Sequence, residues 1–182
     1  MKRIIAFACV TLAVVGLVAL CLNTKTDLDK ENFLRIHIRA DSNDAAAQQV
    51  KYKVKNALID FLTPYLAEVK TKRKATETVK SLLSKISDTA TAILRQNGFE
   101  YAAKAVVKRE VFPTRSYDGF TLKSGEYDAL IVNLGSGKGD NWWCVVYPPL
   151  CFLNGESTGS GKTEYKSLIK EIIDDFAKRR QK

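Results

Sequence analysis

Apolar and polar side chains alternate within residues 33–40 of this chain, strictly so from Leu34 to Ala40. The alternation separates an apolar face, Leu34, Ile36 and Ile38, from a basic face, Arg35, His37 and Arg39. A period of two is typical of a β-strand that buries one face. The pattern therefore predicts a half-buried first strand whose basic face is open to a partner.

Helical spacing replaces the alternation in the next two segments. After the N-cap candidates of residues 41–44, apolar residues recur every three or four positions, which predicts an amphipathic helix that ends or bends at Pro64. Residues 69–75 are polar and predict a connector. A second long helix is predicted from about Thr76 to a stop at Gly98.

The remaining part of the chain predicts more strands and a closing helix. Three stretches have strand character, residues 102–112, 127–134 and 141–147. Residues 130–132 are apolar on both faces, which favours a central position for their strand. The glycines of residues 135–139 predict a wide hairpin loop that exposes Lys138, and residues 112–119 predict a turn-rich excursion. The spacing after Thr163 predicts an amphipathic closing helix.

These elements predict one α+β domain over residues 33–182, with a small, mostly antiparallel sheet of about four strands. Two long helices and a C-terminal helix should pack against the sheet.

The adjacent tryptophans Trp142 and Trp143 should point to opposite faces of their strand. We expect one ring in the core and the other at a contact surface. Each ring can bury about 150–250 Å². The candidate contact residues on and near this strand are Tyr117, Lys138, Asn141, Trp142 and Trp143.

The N-terminal segment, residues 1–25, has the composition of an export signal. Residues 4–22 carry no charge and follow Lys2-Arg3. As a helix they would span ~28 Å, close to the hydrocarbon core of a bilayer. The segment is therefore either a signal peptide or an anchor that stays in the membrane. Both alternatives place the folded body outside the cytoplasm.

Charge and cysteine content bear on two questions, whether the chain binds nucleic acid and whether it forms a disulfide. The net charge of +9 comes from lysines and arginines interspersed with acids, which indicates a solvated surface rather than a nucleic-acid-binding face. Export would allow a disulfide between Cys144 and Cys151, and two buried free thiols are the alternative.

No catalytic, metal or cofactor site is predicted. His37 is the only histidine, which excludes metal sites built on paired histidines. A catalytic Ser42–His37–Asp41 group is disfavoured, because Asp41 and Ser42 are better explained as helix caps. Gly161-Lys162-Thr163 looks like the end of a phosphate-binding loop, but Glu156 stands where that pattern needs glycine, so no nucleotide is expected.

Several strings of residues together resemble a known family. They are Phe112-Pro113-Thr114-Arg115-Ser116-Tyr117, Gly125-Glu126-Tyr127-Asp128-Ala129-Leu130, and Asn141-Trp142-Trp143-Cys144-Val145 with Pro148-Pro149-Leu150-Cys151. With the opening strand, they resemble the stage II sporulation protein R family of endospore-forming bacteria over about residues 33–152. Lys123, where the family tends to carry proline, and Ala45-Ala46-Ala47, in place of a more acidic helix start, depart from the pattern.

The resemblance implies a signalling protein with no catalytic activity of its own. Such proteins are exported from the forespore into the space between the two septal membranes. There they activate a membrane-embedded aspartic protease of the mother cell, of the SpoIIGA type, which then processes pro-sigma-E. Two alternatives stay open: an exported hydrolase that uses Asp/Glu pairs or Ser42 with His37, and a structural envelope protein anchored by residues 4–22.

Overall fold

The computed structural model describes residues 30–117, 120–152, 170–174 and 178. The elements in chain order are β1 (Leu34–Arg39), α1 (Ala45–Leu66), α2 (Lys72–Ser81), α3 (Leu83–Gln96), β2 (Ala103–Phe112), β3 (Arg115–Tyr117), β4 (Phe120–Leu122), β5 (Gly125–Leu134), β6 (Asn141–Tyr147) and a 3-10 turn (Leu150–Phe152). Residues 170–174 are helical and bury Ile172 and Ile173. They belong to the predicted closing helix, whose start at Thr163 lies outside the described residues.

The α+β prediction is confirmed. Four strands form one sheet in the order β2-β5-β1-β6, and β3 and β4 form a separate two-stranded hairpin. β5 pairs antiparallel with β2 and parallel with β1, whereas β1 pairs antiparallel with β6. β5 is central, as its apolar run indicates.

The helices pack on the face of the sheet that carries Ile36 and Ile38. Lys72 of α2 reaches Asp128 of β5, and Lys55 of α1 lies over Trp142 of β6. Asp128 pairs with Leu34, and Trp142 pairs with Ile38, so both share that face. The core between the sheet and the helices consists mainly of aliphatic side chains such as Val54, Leu58, Leu62, Ile86, Leu94, Leu130 and Val132.

The prediction of a half-buried first strand is wrong. β1 lies between β5 and β6 and is buried on both faces. Arg35 and His37, on the face predicted to be open, are 0% and 2% exposed. Alternation showed which side chains share a face, but aromatic rings from distant strands cover the polar face.

The helix boundaries differ from the predicted ones in three places. α1 continues through Pro64 to Leu66, because Pro64 lies in the last turn and Ala67 N still donates to Thr63 O at 3.0 Å. The second helix begins at Lys72 instead of Thr76. Thr71 caps it by accepting a hydrogen bond from Lys74 N. The second helix also breaks at Leu82 into α2 and α3.

The glycine loop of residues 135–140 does not form the predicted hairpin. The two strands that this loop connects, β5 and β6, lie on either side of β1. The loop therefore crosses the carboxyl end of β1. Ser136 N donates to Asp41 Oδ1 at 2.6 Å, and Asp140 N donates to Asn43 Oδ1 at 2.6 Å. Asp41 and Asn43 therefore hold this crossing loop.

Lys51 of α1 also binds this loop, from the helix side. It is 2% exposed, and its Nζ donates to Asp140 O at 3.1 Å and to Gln48 Oε1 at 2.6 Å. Burial lowers the pKa of Lys51, and the charge of Asp140 opposes that shift. The loop is thus bound to both β1 and α1.

Among the described residues no helix is long and apolar enough to cross a bilayer. The predicted export segment, residues 4–22, and the glycine-rich residues 156–163 lie outside the described part of the chain.

Gly139→Ala should destabilise the fold, because a Cβ at this position would lie 2.2 Å from the backbone oxygen of Ser42. Gly139 N also donates to Ala40 O at 2.8 Å, so the loop cannot simply move away. We expect a loss of about 1–3 kcal/mol in the free energy of unfolding, measured by urea titration. Gly98→Asn is the control, because nothing lies within 4 Å of a Cβ there and asparagine is one of the few residues that tolerate the φ of 82° at this position. Equal losses in both variants would contradict the proposed close contact.

Candidate functional site

The face of the sheet opposite the helices carries a cluster of aromatic and charged side chains, which we call the aromatic–arginine cluster. Its members are Arg35, His37, Arg39, Glu110, Phe112, Tyr117, Tyr127 and Trp143. Strand register explains the grouping, since His37 pairs with Trp143 across β1 and β6, and Glu110 pairs with Tyr127 across β2 and β5. Tyr117 joins them from the β3–β4 hairpin.

Arg35 is the centre of this cluster. Its guanidinium carbon lies 4.2 Å from the ring centroid of Phe112, 4.9 Å from that of Tyr127 and 5.9 Å from that of Tyr117. Nη2 donates to Tyr117 Oη at 2.8 Å, whereas Nε and Nη1 find no hydrogen-bond partner among the residues that the structure describes. Burial lowers the pKa of Arg35, and Tyr117 opposes the shift.

No carboxylate of the described residues pairs with Arg35, and the rings compensate for this only in part. Each cation–π contact contributes about 0.5–2 kcal/mol, against a desolvation cost of several kcal/mol for a buried ion. Arg35 therefore depends on its three rings and on the Tyr117 hydroxyl together. Its evident role is to fix the β3–β4 hairpin against the sheet.

His37 is held between two aromatic rings. It stacks on Trp143, with ring centroids 3.6 Å apart, and meets Phe112 edge-on at 5.9 Å. Burial lowers the pKa of His37 to about 4, with Arg39 and other nearby cations acting in the same direction. The imidazole is consequently neutral at pH 7.

Glu110 is the acid of the cluster and has three basic neighbours. It pairs with Arg39, lies 3.4 Å from His37 Nδ1 and lies 3.8 Å from Lys108 Nζ. Sequence reasoning missed Glu110, because a single acid in an alternating strand carries no local signal. Its partners become visible only once β2 is placed in the sheet.

The two tryptophans do point to opposite faces. Trp143 belongs to the aromatic–arginine cluster, whereas Trp142 lies on the helix side, its ring centroid 5.8 Å from Lys55 Nζ. Both side chains are half-buried. The expectation of one core ring and one surface ring is therefore wrong, because β6 is an edge strand and leaves both rings partly accessible.

The other candidate contact residues divide into two groups. Arg35 and His37 are buried, so neither can touch a partner, and Tyr117 is bound to Arg35. The accessible residues at the start of β6 and the end of β1 form what we call the contact rim, Arg39, Lys138, Asn141, Trp142 and Trp143. Lys138 and Asn141 are exposed, as the sequence predicts for Lys138.

A disulfide joins Cys144 of β6 to Cys151 of the 3-10 turn, with Cα atoms 6.0 Å apart. Both cysteines are buried. The bond ties the turn that follows Pro148-Pro149 back onto β6, the strand that carries both tryptophans. No group of three or more potential metal ligands occurs in the described ranges.

Comparison with known proteins gives one family. The family model for stage II sporulation protein R matches residues 30–157. The chain is 29% identical over 154 residues to the Stage II sporulation protein R of Bacillus subtilis (strain 168), an alignment that covers 82% of this chain and 69% of that protein. No solved structure matches the chain significantly.

Acidification should destabilise the folded chain through His37. Its pKa is about 4 when folded, against an ordinary value of 6.5, so the unfolded chain binds the proton first as the pH falls. The stability that neutral His37 contributes above pH 6.5 is then lost progressively as the pH falls to about 4. Relative to His37→Gln, the free energy of unfolding should fall by about 2 kcal/mol between about pH 7.5 and about pH 5.

Urea titrations of both chains at several pH values measure this difference. The two curves should run parallel above about pH 7.5, where His37 is neutral in both states. Parallel curves down to about pH 5 would show that His37 is not desolvated as described.

Proposed function

We propose a signalling role for this chain on the premise that it belongs to the stage II sporulation protein R family, whose model matches most of its folded body. The proposed signal leaves the forespore and activates the membrane-embedded aspartic protease of the mother cell. Processing of pro-sigma-E follows. The chain acts by binding and performs no catalysis of its own.

The observation that carries this proposal is the family match over residues 30–157, which includes the whole sheet and the contact rim. The rim supports a binding role, since it combines two half-buried indole rings with exposed polar and basic groups. Aromatic side chains flanked by polar groups are typical of protein interfaces. The disulfide and the bound glycine loop hold these groups in place before a partner arrives, which lowers the entropic cost of binding.

Activation by binding requires a higher affinity for the active state of the protease than for its inactive state. A tenfold shift of that equilibrium needs about 1.4 kcal/mol of difference. One aromatic anchor can supply that amount. The cations Arg39 and Lys138 favour an acidic surface on the protease beside an apolar pocket.

Lys138→Glu tests the contact rim without disturbing the fold. Lys138 is exposed in the glycine loop, so the variant should accumulate normally. Reversal of its charge should reduce the rate of pro-sigma-E processing about tenfold or more, because like charges at a docked surface repel. Lys85→Glu, the same change at an exposed position of α3, should process normally.

Immunoblots for the chain and for processed sigma-E give both readouts. A photo-crosslinking residue at position 138 should capture the protease, and the same residue at position 85 should not. The assignment of the rim fails if Lys138→Glu accumulates and signals like the parent. The signalling proposal itself fails only if processing proceeds in cells that lack the chain.

Removal of residues 1–22 separates export from recognition. The shortened chain should fail to signal when made in the forespore, because it stays on the wrong side of the membrane. Purified, it should still bind the protease in a pull-down, with Lys138→Glu in the same shortened chain as the weak-binding control. Normal signalling by the shortened chain from inside the forespore would contradict the export step.

A further inference from the structure

The outer edge of β6 is covered at one of its outward-facing residues, Val145. β6 pairs antiparallel with β1, and just before it Ala40 N donates to Asp140 O at 3.4 Å. Backbone groups in such a pair alternate in direction, so the even-numbered residues of β6 bond to β1 and the odd-numbered ones direct N–H and C=O outward. Cys151 Sγ lies 3.1 Å from Val145 N and 2.7 Å from Val145 O. The disulfide-bonded turn therefore closes the edge at Val145.

The start of β6 has no such cover. Its outward backbone groups belong to Asn141 and Trp143, and they meet no hydrogen-bond partner among the residues that the structure describes. Asn141 is exposed, and Trp143 is half-buried. An open edge is a template for another strand, because each outward N–H and C=O can bond to an extended segment. The two residues offer about four such groups, which suits a short segment.

Both faces of the sheet beside this edge carry an indole ring. Trp142 lies on the helix side, with Lys55 Nζ 5.8 Å from its ring centroid. Trp143 lies on the other side and stacks on His37. Successive side chains of an added strand would point to these two faces in turn. Each face therefore offers an aromatic ring for a cross-strand contact with an apolar side chain.

The charges around the edge favour an acidic segment. Lys55 borders the edge through its contact with the Trp142 ring, and the exposed Lys138 lies in the loop that leads into β6. Neither lysine forms a salt bridge within the described part of the chain. The neighbouring cation Arg39 is already paired with an acid of β2. Two positive charges are thus left for carboxylates of a partner.

We propose that the start of β6, from Asn141 to Trp143, accepts a short, extended, acidic segment of the receptor as a further strand of the sheet. The inference rests on the proposed function, since it takes the mother-cell protease as the receptor and adds how that protease is bound. Backbone hydrogen bonds supply affinity, and Lys55 and Lys138 select acidic side chains. The disulfide-bonded turn limits the added strand to the stretch before Val145.

Asn141→Pro tests the backbone hydrogen bonds. Asn141 is the first residue of an edge strand, where proline is tolerated, and the substitution removes an outward N–H without touching the ladder to β1. Asn141→Ala loses the same side chain, keeps the N–H and is the matched reference. In a pull-down of the detergent-solubilised protease by the full-length chains, the proline variant should capture about fivefold less than the alanine variant, or lower still. Urea titration checks that both variants are folded.

Hydrogen exchange tests the same bonds without a substitution. When the parent chain binds the protease, mass spectrometry of the fragment that covers residues 141–143 should show about two newly protected amides, those of Asn141 and Trp143. Fragments of β2, at the opposite edge of the sheet, should exchange as in the free chain. Protection of residues 141–143 in a concentrated solution of the chain alone would show that a second copy takes this edge, and it would overturn the proposal.

Lys55→Glu tests the acidic character of the segment. The variant should capture about tenfold less protease, because the new carboxylate repels the acids of the added strand. Lys53→Glu is the control on the same helix, since Lys53 Nζ donates to Asn97 Oδ1 at the end of α3, away from β6. It should capture the protease like the parent. Equal capture by the two variants would contradict an acidic segment at this edge.

The pull-down also separates this inference from the proposed function. If the parent chain captures no protease, the proposed function fails, and strand addition fails with it. If the parent captures the protease, equal capture by Asn141→Pro and Asn141→Ala without amide protection at residues 141–143 overturns strand addition alone.

Discussion

The insertion of β1 between β5 and β6 is the constraint on which the remaining structure depends. A strand in this position is buried on both faces, although three of its six residues are basic. Those side chains must be desolvated without an equal number of acids. The chain meets this demand with aromatic rings around Arg35 and with Glu110 near Arg39 and His37.

The burial of these basic side chains determines which residues of the cluster stay accessible at the surface. In the proposed binding role, side chains deep in the cluster, such as Arg35 and His37, would act on a partner only through the positions of their neighbours. His37 supports the ring of Trp143, and Arg35 holds Tyr117. The contact rim is what remains accessible at the end of the sheet, and its rigidity derives from the buried part.

The two edge strands of the sheet, β6 and β2, are held by different contacts. β6 carries both tryptophans and is tied by a disulfide, whereas the backbone N–H groups of Ala103 and Ala105 in β2 donate to hydroxyl groups of α3.

The sequence by itself determined the α+β class, the approximate strands and helices, the opposite directions of Trp142 and Trp143, and the family resemblance carried by the strings around them. The β3–β4 hairpin, the start of α2 at Lys72 and the path of the glycine loop came only from the structure. So did the burial of Arg35 and His37. The physical reason is that periodicity reports which side chains share a face. What covers that face depends on Phe112, Tyr127 and Trp143, whose approach to β1 is set by strand pairing over long sequence separations.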